Sequence, residues 1–91
     1  MTGAWEIDEN MKFCELPEDA ATAFADATKS FVGARYLPVL YIGKQVVSGY
    51  NYMFICKQVL STAHADTHVV KMVIYKPAAG KAEILLIEQL L

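Results

Sequence analysis

The spacing of apolar residues changes once along the chain, near Gly33. Before that point it is helical, and after it side chains alternate. Ala20, Phe24, Ala27 and Phe31 recur at i, i+4, i+7 and i+11 and form one narrow apolar stripe. Pro17 suits a first helical position, where its missing N–H costs nothing. Glu18 and Asp19 in the first turn and Lys29 near the end complement the helix dipole. Gly33 suits the residue just past the end, where a left-handed backbone is needed. The pattern predicts a helix over about 17–32, and its small residues suit one lying close on a sheet. Ahead of it, between Trp5 and Glu15, Trp5 and Ile7 alternate with acids and fit a short strand.

Four strands are expected after Gly33. Tyr36 to Ile42 is rich in aromatic and β-branched residues, with Pro38 marking an edge or a bulge near its start. In Tyr50 to Leu60, Tyr52, Phe54 and Cys56 share a face and Lys57 points the other way. In His68 to Tyr75, Val70, Met72 and Ile74 share a face opposite Lys71. Lys76-Pro77-Ala78-Ala79-Gly80-Lys81 is a turn by its Pro and Gly, and Ala82 to Leu90 is the last strand. Short connections imply an antiparallel meander. The fold class is therefore α+β: a single helix wrapped by a curved antiparallel sheet of four long strands plus a short N-terminal strand.

Composition narrows the function. Ninety-one residues make one domain, 1–91, too short for a dinucleotide-binding fold with a substrate domain or for a barrel enzyme. Two cysteines are too few for a disulfide framework or a thiolate zinc site. The net charge of −2 argues against nucleic acid. The charge is uneven, however. Residues 1–26 hold seven acids and one base, whereas 27–91 hold seven bases and three acids, as a helix packed on a sheet would give. No apolar run reaches bilayer length, so no membrane partner is expected. The first residues lack a basic segment followed by an apolar core, which points to a cytoplasmic protein, or to a secreted one if the chain is a trimmed mature form.

One connection stands out. Lys44-Gln45-Val46-Val47-Ser48-Gly49-Tyr50-Asn51-Tyr52 joins the first two long strands. Hairpin tips are ordinarily polar, yet here Val46 and Val47 fall at or near the tip. An exposed apolar tip suggests a partner surface. In the alternative reading both valines continue the strand and Ser48-Gly49 alone makes the turn.

This segment resembles the Gln-x-Val-x-Gly signature of the cystatin superfamily, with Asn51-Tyr52 extending the likeness behind it. Gly3 stands 42 residues before Gln45, close to where cystatins carry an N-terminal glycine. The helix-then-four-strands order is the cystatin order, and Pro77 to Gly80 lies where the second inhibitory loop falls. With no C-terminal disulfide pairs, the chain is most similar to the stefin branch or a bacterial relative. It departs from the family pattern at Tyr50, where Thr is usual, and at Ala78, where the secreted branch has Trp. The resemblance implies a reversible, non-covalent inhibitor of papain-like cysteine proteases, a wedge that blocks the active-site cleft without offering a cleavable bond. Its protease-binding edge would be Gly3 and Ala4, then Gln45, Val46, Val47, Ser48 and Gly49, then Pro77, Ala78, Ala79 and Gly80. Gly3 and Gly49 would allow close backbone approach, and the valines would supply apolar contact. The alternative is a non-inhibitory cystatin-fold interaction module.

Other chemistry is thin. Cys14, Cys56, His64 and His68 are the residues available for Cys/His nucleophilic work, and no third group orients them. Cys56 reads as a core residue, and a Cys14–Cys56 bridge has nothing to support it. His64-Ala65-Asp66-Thr67-His68 reads as a solvated turn rather than a metal site. The five tyrosines (Tyr36, Tyr41, Tyr50, Tyr52, Tyr75) read as strand packing. Trp5 either packs on the sheet or helps an N-terminal arm grip a target. No catalytic residue, cofactor or metal is expected. An enzyme reading would need a deep pocket between helix and sheet. Backbone strain at Val46 or Val47 would favour a dimer formed by exchanging N-terminal halves.

Overall fold

The computed structural model describes residues 3–64 and 66–91. A short strand β1 (Trp5–Ile7) leads to one helix, α1 (Glu18–Thr28). Four long strands follow: β2 (Ala34–Val47), β3 (Gly49–Leu60), β4 (Thr67–Lys76) and β5 (Glu83–Gln89). They form a five-stranded sheet in the order β1-β2-β3-β4-β5, antiparallel throughout, with the helix packed on one face. This single α+β domain is the arrangement that the sequence pattern and the cystatin resemblance imply.

The face toward the helix is the one the alternation marked. Tyr52, Phe54, Cys56, Val70, Met72 and Ile74 are all buried, while Lys57 points to solvent. The helix reaches this layer through Ala20, Ala23 and Phe24. Two alanines leave room for close approach, and Phe24 meets Phe54 edge-on at 5.2 Å between ring centroids.

Two boundaries differ from expectation. The helix ends at Thr28 rather than near 32. The Thr28 hydroxyl donates to the Phe24 carbonyl at 2.8 Å, and the next residues turn the chain into β2. Phe31 therefore leaves the helical stripe and packs edge-on against Tyr36 at 5.2 Å. Gly33 has the left-handed φ of 95°, but in the connector rather than at the helix end, where its carbonyl accepts from Ser61 N–H. The first long strand is also longer than its aromatic core, running on through Val46 and Val47. Pro38 does mark a bulge, because the β2–β3 register shifts between Pro38 and Leu40, and again between Tyr41 and Gly43.

The N-terminal strand depends on a glycine within β2. A Cβ at Gly43 would collide with the Glu6 carbonyl and crowd Ile7 Cα. Without one, Ile7 lies opposite Gly43 and β1 closes on the sheet. At the other end of α1, the Asp26 carboxylate accepts from Ala82 N–H at 2.8 Å and pairs with Lys29 at 3.0 Å, fixing the entry to β5. These two hydrogen-bond and charge partners hold the Asp26 carboxyl below its usual range.

Candidate functional site

The β2–β3 hairpin is tight. Val47 lies opposite Gly49, so Ser48 alone occupies the tip. Both valines continue the strand, which is the second of the two sequence readings. The left-handed φ of 109° belongs to Gly49, so neither valine carries that strain, and the premise for exchanging N-terminal halves is absent at the tip. Val46 is nonetheless 46% exposed.

The N-terminal arm lies against this hairpin. Gly3 N–H donates to the Val46 carbonyl at 2.8 Å. The Gln45 side chain donates from Nε2 back to the Gly3 carbonyl at 2.9 Å. Asn51, directly across from Gln45, donates from Nδ2 to Gln45 Oε1 at 3.0 Å. A relay therefore runs Asn51 to Gln45 to Gly3. It gives Gln45 and Asn51, two polar residues of the signature segment, a positioning role. A Cβ at Gly3 would stand 3.1 Å from the Val46 carbonyl, so the glycine also permits this close seat. Ala4 is exposed beside it, and Trp5 pairs with Gln45 in β1, about one-third exposed.

The second loop, between β4 and β5, locks on from the other side. A Cβ on Gly49 would run into the Lys76 carbonyl and stand 2.9 Å from Pro77 Cα, so only glycine lets the backbones meet there. The Tyr75 hydroxyl donates to the Ser48 carbonyl at 2.6 Å. Lys76 Nζ donates to the Pro77 carbonyl at 3.1 Å and the Gly80 carbonyl at 2.8 Å, bracing the loop from within. Ala78, Ala79 and Gly80 are exposed, and Pro77 is half-buried. Arm, hairpin tip and second loop thus form one continuous edge at one end of the sheet.

Tyr75 and Lys76 escape the motif reading altogether. Tyr75 is legible in the sequence only as a strand residue and Lys76 only as the start of a turn, whereas β4 runs on through Lys76 and the partner of each is set by strand register. Gly43 left a fainter signal, an isolated glycine in a strand pattern.

Behind the edge, on the helix side, lies a solvent-open groove of about 840 Å³ between the start of α1 and the hairpins. Val46, Tyr50, Tyr52 and Pro77 form its apolar walls, and Glu18 and Asp19 its acidic rim. Tyr50 and Tyr52 stack at 5.9 Å, and Lys44 Nζ sits 5.2 Å from the Tyr50 ring centre. Tyr52 donates to Asp19 Oδ2 at 3.1 Å. Burial, then the Asp19 charge and this hydrogen bond, push its phenol up to about 12. Tyr41 is raised to about 12 by burial and by the Asp19, Asp8 and Glu6 charges.

The remaining candidates do not converge. Cys14 is exposed and free in the loop before α1, where it takes the left-handed φ of 63°, whereas Cys56 is free and buried in the core. Burial raises the Cys56 thiol to about 12. His64 is exposed in the β3–β4 loop. His68 lies in β4 with Nδ1 3.2 Å from the Leu91 carbonyl. Ala65, between them, lies outside the described residues. Of the tyrosines, Tyr36, Tyr41 and Tyr52 are core residues, as strand packing requires. No described helix is long and apolar enough to cross a membrane.

Comparison with family models, with curated proteins and with solved structures finds no match to this chain.

Proposed function

We propose that the chain is a reversible, non-covalent inhibitor of papain-like cysteine proteases, acting as a wedge rather than as an enzyme. The observation that carries this reading is the joining of three separate segments into one edge. Gly3 is bonded to Val46, and Gly49 is pressed on Lys76 and Pro77. Together they place Gly3-Ala4, Gln45 to Gly49 and Pro77 to Gly80 side by side, as a cleft-blocking edge requires. Their apolar content, chiefly Val46, Pro77, Ala78 and Ala79, supplies contact without charge desolvation. Because the segments are tied to the sheet and to each other, little conformational freedom is lost on docking. A hairpin held by backbone bonds to its neighbours is also a poor substrate, since cleavage needs an extended, mobile segment.

Titration of papain tests the proposal. Activity is expected to fall with added chain, to return on dilution, and to leave the chain uncut. Substituting Gln45, Val47 or Gly49 is expected to weaken the effect. No inhibition at high micromolar chain rejects the reading.

A further inference from the structure

We infer that the groove behind the edge is a peptide-docking site, and that it takes an extended segment carrying an arginine beside aliphatic residues. Its shape selects the kind of occupant. Sites for small molecules enclose most of the ligand. This groove of about 840 Å³ is open to solvent, with the start of α1 on one side and the hairpins on the other, so it can cover one flank of an extended chain. Val46 and Tyr50 in its wall are 46% and 40% exposed, which leaves apolar surface for aliphatic side chains to bury. The inference goes beyond the proposed inhibition and stands without it, because the docked segment need not belong to a protease.

Charge selects the basic residue. Glu18 and Asp19 are both exposed at the rim. Asp19 is held in place by Tyr52, which donates to its Oδ2, while its Oδ1 accepts no hydrogen bond among the described residues. A carboxylate fixed through one oxygen suits a guanidinium, whose planar fork of donors bonds the open oxygen while its face lies along an aromatic wall. The chain's own lysines do not fill this place. Lys76 lines the groove but turns its ammonium onto the Pro77 and Gly80 carbonyls. Lys44 lies outside the lining, with its ammonium over Tyr50. Among the described residues neither pairs with Glu18 or Asp19. The charges of Asp19, Asp8 and Glu6 all raise the neighbouring Tyr41 phenol, so the field at this end of α1 is negative.

The test is a nuclear magnetic resonance titration of the full chain, without protease, so its outcome is separate from that of the papain titration. The probe is acetyl-Ala-Leu-Arg-Leu-Ala-amide, beside the same peptide with citrulline or with glutamate in place of arginine. With the arginine peptide, the amide signals of Thr22 and Tyr50 in the groove are expected to shift and to saturate by millimolar peptide. Citrulline keeps the shape and loses the charge, and is expected to weaken binding roughly five-fold or more. Asp19→Asn keeps an acceptor for Tyr52 and is expected to erase most of the difference between those two peptides. Glu18→Gln, at an exposed position, is expected to narrow it. Unchanged signals from β3 and β4 core residues check that both variants keep the fold. No saturable shift at Thr22 or Tyr50 overturns the proposal. So does equal binding of the arginine and citrulline peptides, or a glutamate peptide that binds as tightly, which assigns the groove to an acidic segment.

Discussion

The side-chain amide of Gln45 donates to the carbonyl of Gly3, 42 residues earlier, at 2.9 Å. The same glutamine accepts from Asn51 across the hairpin, so one side chain joins the N-terminal arm to both strands of the β2–β3 pair. Replacing it with alanine removes that link and leaves the Gly3–Val46 backbone bond alone. We expect Gln45→Ala to retain the fold and to speed amide exchange at Gly3. Inhibition of papain should weaken by about 5- to 10-fold, the worth of roughly one net hydrogen bond. Exchange by nuclear magnetic resonance and a matched inhibition titration measure both.

Gly49 carries two constraints at once: a left-handed backbone and contact with the Lys76 carbonyl. Gly49→Ala meets both penalties, and we expect a loss of about 1–3 kcal/mol in stability, read from denaturant unfolding. Gly33 has a similar φ but open space around it. Gly33→Ala should therefore cost less. Equal losses at the two positions would show that the contact with the second loop contributes nothing.

The two cysteines should differ sharply toward a thiol reagent. Cys14 is exposed, while Cys56 is buried and its thiol raised to about 12. One thiol per native chain is expected to react at neutral pH, and the second only on unfolding. Cys14→Ser should abolish the native reaction.

Alkaline pH should destabilise the fold through Tyr41 and Tyr52. Each phenol is raised from an ordinary value of 10 to about 12 in the native state, by burial first and then by nearby carboxylates. Between those values the unfolded chain has released protons that the native chain keeps, so stability falls as pH rises from 10 toward 12 and is fully present below 10. Tyr52→Phe is expected to reduce that slope in unfolding curves measured across this window. An unchanged slope would assign the effect elsewhere.

Much of this architecture is written in local pattern. The alternation at Tyr52, Phe54 and Cys56 and at Val70, Met72 and Ile74 names the buried face, because period two and burial are the same fact in a strand. The helix is legible from Ala20 and Phe24, but its end is not. Phe31 keeps the helical spacing while the chain needs residues 29–33 to turn into β2. The signature segment and the glycine spacing place two parts of the candidate edge. The contacts that fuse them, Tyr75 to Ser48 and Lys76 to Gly49, depend on the β3–β4 register and on two bulges in β2. Such long-range alignment leaves no trace in any short window of sequence.

The fastening of the two loops relies on main-chain acceptors. Tyr75 reaches the Ser48 carbonyl, Lys76 reaches the Pro77 and Gly80 carbonyls, and Gly3 reaches that of Val46. The side chains of Val46, Ser48, Ala78 and Ala79 take no part in these bonds. Their identities can therefore be exchanged while the backbone of the rim is kept, so the chemistry this edge presents is set by those four positions independently of the bonds that hold it.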